Sequence, residues 1–131
     1  MKTLIAEDDF TSRLLLQELL NRFGPCHVAV NGTEAVEAVR ISLEAKEPYD
    51  LICLDIMMPE MDGQSALRNI RTQEEAQGIV SSRGTKIVMI TALEDIKNAM
   101  LAYSGLCDAY LTKPIHREKL LVELRNLQLI P

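Results

Sequence analysis

The segment Asp50-Leu51-Ile52-Cys53-Leu54-Asp55-Ile56-Met57-Met58-Pro59-Glu60-Met61-Asp62-Gly63 decides the fold class, because it changes abruptly from an apolar run to a polar loop. Residues 50–54 are almost continuously apolar, which is typical of a central parallel strand covered on both faces. Asp55 follows at the carboxyl end of this run, and a helix begins near Gly63 after the loop. The segment therefore predicts a strand, a loop and a helix, with one carboxylate presented at the edge of a sheet.

The same alternation of short β-like runs and helical periodicity continues on both sides of this segment. Strands are predicted at residues 3–6, 26–30, 50–54, 86–90 and 109–111, and helices at 10–23, 94–104 and 116–127, with two further helices that carry Ala35 to Leu43 and Gly63 to Ile70. This order is typical of an α/β fold with a parallel sheet. Residues 72–85 are polar and long for a connection between a helix and a strand, so extra helix or a mobile loop is expected there.

Size, charge and hydropathy limit the kind of protein. A chain of 131 residues fits one domain with a complete core. Its net charge of −5 gives no electrostatic reason for nucleic acid binding. Acidic residues at positions 7–9 come too early for a signal peptide, and no apolar run reaches the roughly 20 residues that span a bilayer. We therefore expect a single cytoplasmic domain over residues 1–131, without direct nucleic acid binding or membrane insertion.

Residues with reactive or charged side chains follow the predicted strands at their carboxyl ends. They are Glu7, Asp8 and Asp9 after the first strand, Asp55 after the third, Thr91 after the fourth, and Thr112, Lys113 and Pro114 after the fifth. Ligands of open parallel sheets bind at this edge. Unit charges 4 Å apart repel by about 4 kcal/mol at an effective dielectric of 20, so the carboxylates call for a cation. Hard oxygen ligands favour Mg²⁺, while the lysine remains for a phosphoryl group and Asp55 can act as the nucleophile.

The acidic cluster leaves two pairings open. Asp8 and Asp9 would also serve as the metal-binding pair, but a strand that ends at Glu7 favours Glu7 and Asp8. Acidic residues at this position also suit the cap and dipole of the following helix. That structural role explains one acid more easily than three.

The chain resembles the bacterial response-regulator receiver family of two-component signalling, which includes the chemotaxis receivers. The resemblance rests on Asp55 to Gly63, with Glu7-Asp8 upstream and Thr91-Ala92, Tyr110 and Lys113-Pro114 downstream, and it covers essentially the whole chain. It implies a doubly wound (βα)5 flavodoxin-like sandwich of three layers with the parallel sheet order 2-1-3-4-5.

The resemblance also implies roles for individual residues. Asp55 is expected to be the phosphoacceptor. Mg²⁺ is expected on Asp8, Asp55 and the backbone carbonyl of Met57, with Glu7 acting largely through water. Thr91 and Lys113 would contact the phosphoryl group, the Lys113-Pro114 peptide would be cis, and the Tyr110 ring would move inward as Thr91 is drawn to the phosphate.

A phosphorylation switch needs a donor and a target. A sensor histidine kinase or a phosphotransfer protein is expected to supply the phosphoryl group. The fourth helix, fifth strand and last helix are expected to form the responsive face, which would control a downstream protein or support a homodimer. The chain is not expected to be an enzyme beyond its own phosphorylation and slow autodephosphorylation.

Two bulky apolar residues suggest a long phosphorylated lifetime. Met57 lies two residues after Asp55, and Leu93 lies two residues after Thr91. Neither side chain offers an acceptor that could orient a hydrolytic water, so self-hydrolysis is expected to be slow.

Two other functions stay open on the sequence alone. An aspartate-nucleophile phosphohydrolase would normally carry a second Asp at the position of Met57. A receiver-like interaction module that is never phosphorylated would not need the complete set of acids, hydroxyl and lysine.

Overall fold

A computed structural model describes residues 1–80, 83–103 and 105–131, and for Leu93, Ala102 and Tyr103 it describes the backbone alone. Five parallel strands form one sheet in the order β2-β1-β3-β4-β5. The strands are β1 (Thr3–Ala6), β2 (Cys26–Ala29), β3 (Leu51–Asp55), β4 (Lys86–Ala92) and β5 (Ala109–Lys113). The helices are α1 (Phe10–Leu20), α2 (Gly32–Glu44), α3 (Gly63–Ala76), α4 (Ile96–Tyr103) and α5 (Arg117–Asn126). The expected doubly wound fold is confirmed.

The sheet is the middle of three layers. Its first face carries Leu4, Ile52 and Met89 and is covered by apolar residues of α2, α3 and α4. Its second face carries Ile5 and Val88 and is covered by α1 and α5. Alternate residues of each central strand are therefore buried on opposite sides, which explains why the run at residues 51–54 is continuously apolar.

Short polar residues begin the helices that follow the first three strands. The side chains of Asp9, Asn31 and Asp62 accept hydrogen bonds from backbone N–H groups in the first turns of α1, α2 and α3. Such caps satisfy helix donors that have no partner within the helix. Each helix start is thereby fixed close to the carboxyl edge of the sheet.

Several element boundaries differ from the sequence prediction. Helix α1 ends at Leu20 and gives way to a 3-10 turn, Asn21–Phe23, rather than continuing to residue 23. Strand β3 includes Asp55, and β4 continues to Ala92. The pairing of Asp55 with Ile90 extends the ladder beyond the apolar run. Backbone pairing with neighbouring strands, which hydropathy does not report, sets the ends of β3 and β4.

The polar region 72–85 begins with extra helix, since α3 runs to Ala76. A buried side chain then anchors the following segment: Glu74 accepts a hydrogen bond from the backbone N–H of Thr85 at 2.8 Å. Residues 81 and 82 lie outside the described part of the chain, so the expected mobile loop is not addressed for them. None of the described helices combines the length and apolar character needed to cross a membrane.

Candidate functional site at the carboxyl edge of the sheet

Three carboxylates meet where β1 and β3 end. Oxygen atoms of Glu7, Asp8 and Asp55 lie within 4.8 Å of one another. The Asp9 carboxylate instead accepts a hydrogen bond from Ser12 N–H at 2.9 Å and caps α1. The geometry therefore favours the pair Glu7 and Asp8 over the pair Asp8 and Asp9, and Asp9 has the structural role.

Asp55 is almost buried, with 2% of its surface exposed. Its Oδ1 accepts a hydrogen bond from Met57 N–H at 3.2 Å, and its Oδ2 accepts one from Lys113 Nζ at 3.2 Å. Burial raises the pKa of Asp55, and the Lys113 cation opposes that rise. The lysine therefore helps to keep this buried carboxyl group ionised, as a nucleophile requires.

Glu7 is the most perturbed acid of the cluster. It is fully buried, and its Oε1 accepts hydrogen bonds from Lys113 Nζ at 3.1 Å and from Asp9 N–H at 3.2 Å. Its Oε2 has no hydrogen-bond partner in the part of the chain that the structure describes. Burial, reinforced by the charge of Asp55, raises the pKa of Glu7 from 4.5 to about 7 despite Lys113. One lysine thus leaves the cluster short of positive charge.

Lys113 and Thr91 complete the edge from β5 and β4. Burial lowers the pKa of Lys113, but the neighbouring carboxylates of Glu7 and Asp55 outweigh burial and raise it overall. The lysine is therefore charged at neutral pH. Its peptide bond to Pro114 is cis. Thr91 is 2% exposed and pairs with Thr112 of β5.

The loop after Asp55 depends on a glycine. A Cβ atom at Gly63 would lie 2.4 Å from the carbonyl oxygen of Asp55 and 2.7 Å from the Cα of Ile56. The Gly63 N–H donates to the Ile56 carbonyl at 2.9 Å, so the loop closes tightly on the end of β3. Only a residue without a side chain fits this approach without displacing the backbone of Asp55 and Ile56.

Arg13 is a neighbour of the site that the sequence analysis missed. Its guanidinium donates to the carbonyl oxygens of Glu7 at 3.1 Å and Asp8 at 3.4 Å. The sequence feature that could have indicated this contact is the position of Arg13 on α1, one turn after the cap residue Asp9. A single arginine on an amphipathic helix is more often a solvated residue, so spacing alone could not assign this contact.

The remaining predicted residues lie on β5 and in the segments that follow β3 and β4. Tyr110 is half-buried on β5 and lines a groove of about 600 Å³ between α4 and α5. Met57 is 72% exposed beside Asp55. Leu93 lies in a 3-10 turn between β4 and α4, and its side chain is outside the described part of the chain.

The fold, the strand-end acids and the half-buried lysine define a class of protein that family comparison also identifies. The model of the response regulator receiver domain matches residues 3–125. The chain therefore belongs to the response regulator receiver family. Receiver domains are signalling domains of two-component and phosphorelay systems rather than classical enzymes.

Individual relatives come from plants and fungi as well as bacteria. The chain is 32% identical over 130 residues to probable histidine kinase 2 of Oryza sativa subsp. indica, a match that covers 92% of the chain and 12% of the kinase. The chain thus spans a small fraction of this relative's length.

Two solved structures show related receivers in informative states. The receiver domain of sensor histidine kinase PA1611 from Pseudomonas aeruginosa, solved with magnesium in its active-site cleft, is 27% identical with a TM-score of 0.72, covering 95% of this chain and 94% of that one. The chain also matches the co-crystal structure of the phosphotransfer protein Ypd1 and the receiver domain of Ssk1 from Saccharomyces cerevisiae. The identity is 29% and the TM-score 0.75, and the match covers 92% of this chain and 83% of that one.

Proposed function

We propose that this chain is a phosphorylation-dependent switch that accepts a phosphoryl group on Asp55 from a histidine kinase or a phosphotransfer protein. The observation that carries the proposal is the convergence of Glu7, Asp8 and Asp55 within 4.8 Å, with Lys113 Nζ 3.1 Å from Glu7 and 3.2 Å from Asp55. Such an arrangement suits phosphoryl transfer, which depends mainly on positioning and charge neutralisation.

The residues fit a magnesium ion. The donors are hard carboxylate oxygens, and the buried Oε2 of Glu7 lacks a hydrogen-bond partner among the described residues. Asp8, Asp55 and the Met57 carbonyl would hold the ion, with Glu7 acting largely through water. When bound, Mg²⁺ would neutralise charge on the phosphoryl oxygens.

The side chains of this chain carry the other parts of the reaction. Asp55 attacks phosphorus through a carboxylate oxygen, which forms an acyl phosphate as the bond to the donor breaks. Lys113, already beside Asp55, pairs with the incoming phosphoryl charge. The Thr91 hydroxyl donates a hydrogen bond to it from the end of β4.

The response is proposed to spread from Thr91 to the face formed by α4, β5 and α5. The new dianion draws Thr91 inward and allows the half-buried Tyr110 ring to follow. This shifts an existing equilibrium between two conformations of that face. The groove that Tyr110 lines would then change its shape. A downstream protein, or a second copy of the chain, would bind the altered face.

We also propose that the acyl phosphate persists. Met57, exposed beside Asp55, offers no side-chain acceptor to a hydrolytic water, and Leu93 offers none either. Introducing acceptors, as Met57→Asn and Leu93→Glu, should shorten the lifetime of the phosphorylated protein severalfold. A lifetime that is already short and unaffected by both changes contradicts slow self-hydrolysis while leaving the switch intact.

The proposal places these functions in one domain over residues 1–131, in the cytoplasm. A phosphohydrolase is not favoured, because Met57 stands where the second aspartate of such enzymes would lie. A module that is never phosphorylated would have no use for the charge arrangement of Asp55 and Lys113.

Intact mass measurement tests the central claim. The protein is incubated with acetyl phosphate or phosphoramidate, with Mg²⁺ or with EDTA. We expect the mass of one phosphoryl group to be added only with Mg²⁺, and Asp55→Asn to abolish the addition. Asp50→Asn, immediately before the opposite end of the same strand, is the matched control and should label normally. Absence of labelling with both donors would overturn the proposal.

A further inference from the structure

Met57 is an exposed methionine held beside the proposed phosphoacceptor. Its backbone N–H donates to Asp55 Oδ1 at 3.2 Å, so the side chain starts from a peptide that contacts the carboxylate directly. The Gly63 N–H closes the same loop on the end of β3 by donating to the Ile56 carbonyl at 2.9 Å. The backbone of Met57 is therefore held in place relative to Asp55, while 72% of the Met57 surface remains open to solvent.

Exposure separates Met57 from most of the methionines that follow it in the chain. Met58 is 8% exposed and packs in the core on the first face of the sheet, Met61 packs half-buried against the same core, and Met89 is fully buried. Met100, on α4, is 52% exposed. Because a packed core excludes oxidants dissolved in water, the thioether of Met57 is expected to react well before that of Met58.

Oxidation would change what the Met57 side chain can do for a water molecule. A thioether sulfur is a weak hydrogen-bond acceptor, whereas methionine sulfoxide is polar and its oxygen accepts readily. That oxygen would lie on the residue two positions after Asp55, where the unmodified side chain offers nothing that could orient a water for attack on phosphorus. Such a group assists the attack when it is within hydrogen-bond reach of the water. One added oxygen thus reverses the property on which a long-lived acyl phosphate depends.

From this placement we propose that Met57 is a site of reversible oxidation by peroxide, and that its sulfoxide shortens the lifetime of the phosphorylated protein. The inference rests on the proposed phosphorylation of Asp55 and its slow self-hydrolysis. It makes the duration of the signal depend on peroxide as well as on the phosphodonor. Peroxide would end the signal early without altering Asp55, and reduction of the sulfoxide would restore the long lifetime.

Atoms and electrons balance in the oxidation and in the hydrolysis that follows it. In the oxidation, a lone pair of the Met57 sulfur attacks a peroxide oxygen, the O–O bond breaks, and the peroxide is reduced to water as the sulfur is oxidised. In the hydrolysis, a water oxygen bonds to phosphorus, and the P–O bond to Asp55 breaks with its electron pair on the carboxylate. The sulfoxide oxygen accepts a hydrogen bond from the attacking water and aligns it, and the protons of that water stay with the released phosphate.

The test compares oxidised and unoxidised protein. Hydrogen peroxide is applied and removed with catalase, and dithiothreitol then returns oxidised cysteines to thiols while leaving sulfoxides in place. Peptide mass spectrometry gives the oxidation rate of each methionine. The protein is labelled with phosphoramidate and Mg²⁺, and intact mass follows the loss of the phosphoryl group. Met57→Leu removes the sulfur and keeps an apolar side chain of similar size. Met100→Leu, which removes the exposed sulfur on α4 and keeps Met57, is the matched control.

We expect oxidation to speed loss of the phosphoryl group about two- to tenfold in the wild type and in Met100→Leu, the rate equivalent of one added hydrogen bond to the attacking water. Oxidation should not change the rate in Met57→Leu, and the two methionine sulfoxide reductases, one for each epimer, should restore the wild-type lifetime.

Three results would overturn the inference: Met57 reacts no faster than Met58, oxidation leaves the wild-type lifetime unchanged, or Met57→Leu responds to oxidation as the wild type does. Labelling of Asp55 with a lifetime that oxidation does not alter leaves the proposed phosphorylation standing. Failure of the unoxidised protein to label removes both.

Discussion

Replacing Arg71 with alanine should lower the free energy of unfolding by about 3–5 kcal/mol, the usual cost of breaking a buried ion pair from one side. Arg71 is 3% exposed on α3. Its guanidinium donates to Glu74 Oε1 at 2.7 Å, Asp108 Oδ2 at 3.0 Å, and the carbonyl oxygens of Leu106 at 2.7 Å and Thr85 at 2.9 Å. One side chain thus joins α3, the start of β4 and the loop before β5.

The magnitude follows from what the substitution leaves behind. Glu74 is also 3% exposed, and after loss of Arg71 its carboxylate keeps, among the described residues, only the hydrogen bond from Thr85 N–H at 2.8 Å. Asp108 is less affected because it is more exposed and still accepts from Ile87 N–H at 2.8 Å. The uncompensated Glu74 carboxylate therefore accounts for most of the expected loss.

The measurement is urea unfolding followed by far-UV circular dichroism at pH 7. Arg40→Ala is the matched control, because Arg40 also pairs with two glutamates but does so at the surface, where little change is expected. The double variant Arg71→Met/Glu74→Met should recover much of the loss, since it removes the stranded charge. A loss below about 1 kcal/mol for Arg71→Ala, or a double variant no more stable than Arg71→Ala, would refute the reasoning.

Three further predictions concern the site. Because the folded-state pKa of Glu7 is raised from 4.5 to about 7, the folded state holds its proton more tightly than the unfolded chain. Its contribution to stability is complete below pH 4.5 and is lost as the pH rises through about 7. Without metal, denaturant midpoints should show this decline, and Glu7→Gln should flatten it; equal slopes in both proteins would contradict the assignment. Asp8→Asn should weaken Mg²⁺ binding at least tenfold by calorimetry, since it removes a charged ligand, whereas Asp9→Asn should leave it nearly unchanged; a comparable loss of binding in Asp9→Asn would restore the pair Asp8 and Asp9. Gly63→Ala should slow labelling of Asp55 about tenfold or more, because the new Cβ must displace the Asp55 backbone, and a normal labelling rate would show that the loop yields easily.

The sequence was most informative where a local pattern and a functional motif coincided. The apolar run before Asp55 predicted a central strand, and the acids, hydroxyl and lysine at the strand ends predicted where a site would form. Parallel strands bring their carboxyl ends to one edge, so these residues could be grouped before any coordinates were known.

Other features could not be predicted because they depend on contacts between residues far apart in the chain. The spacing of Arg71 and Asp108 in the sequence does not predict the ion pair that joins α3 to the loop before β5. The same holds for Arg13, whose contacts with the carbonyl oxygens of Glu7 and Asp8 depend on how α1 leaves the sheet. Helix periodicity marks a polar residue without saying whether it is solvated or buried.

The sequence by itself determined the α/β fold class, the strands and helices in outline, and the set of residues from which the site is built. Periodicity and strand-end chemistry are local properties, and they are written in the order of the residues. The tertiary structure alone decided which acids converge and why burial raises the pKa of Glu7 to about 7. Distance and burial set electrostatic energies, and both arise only when the strands are side by side.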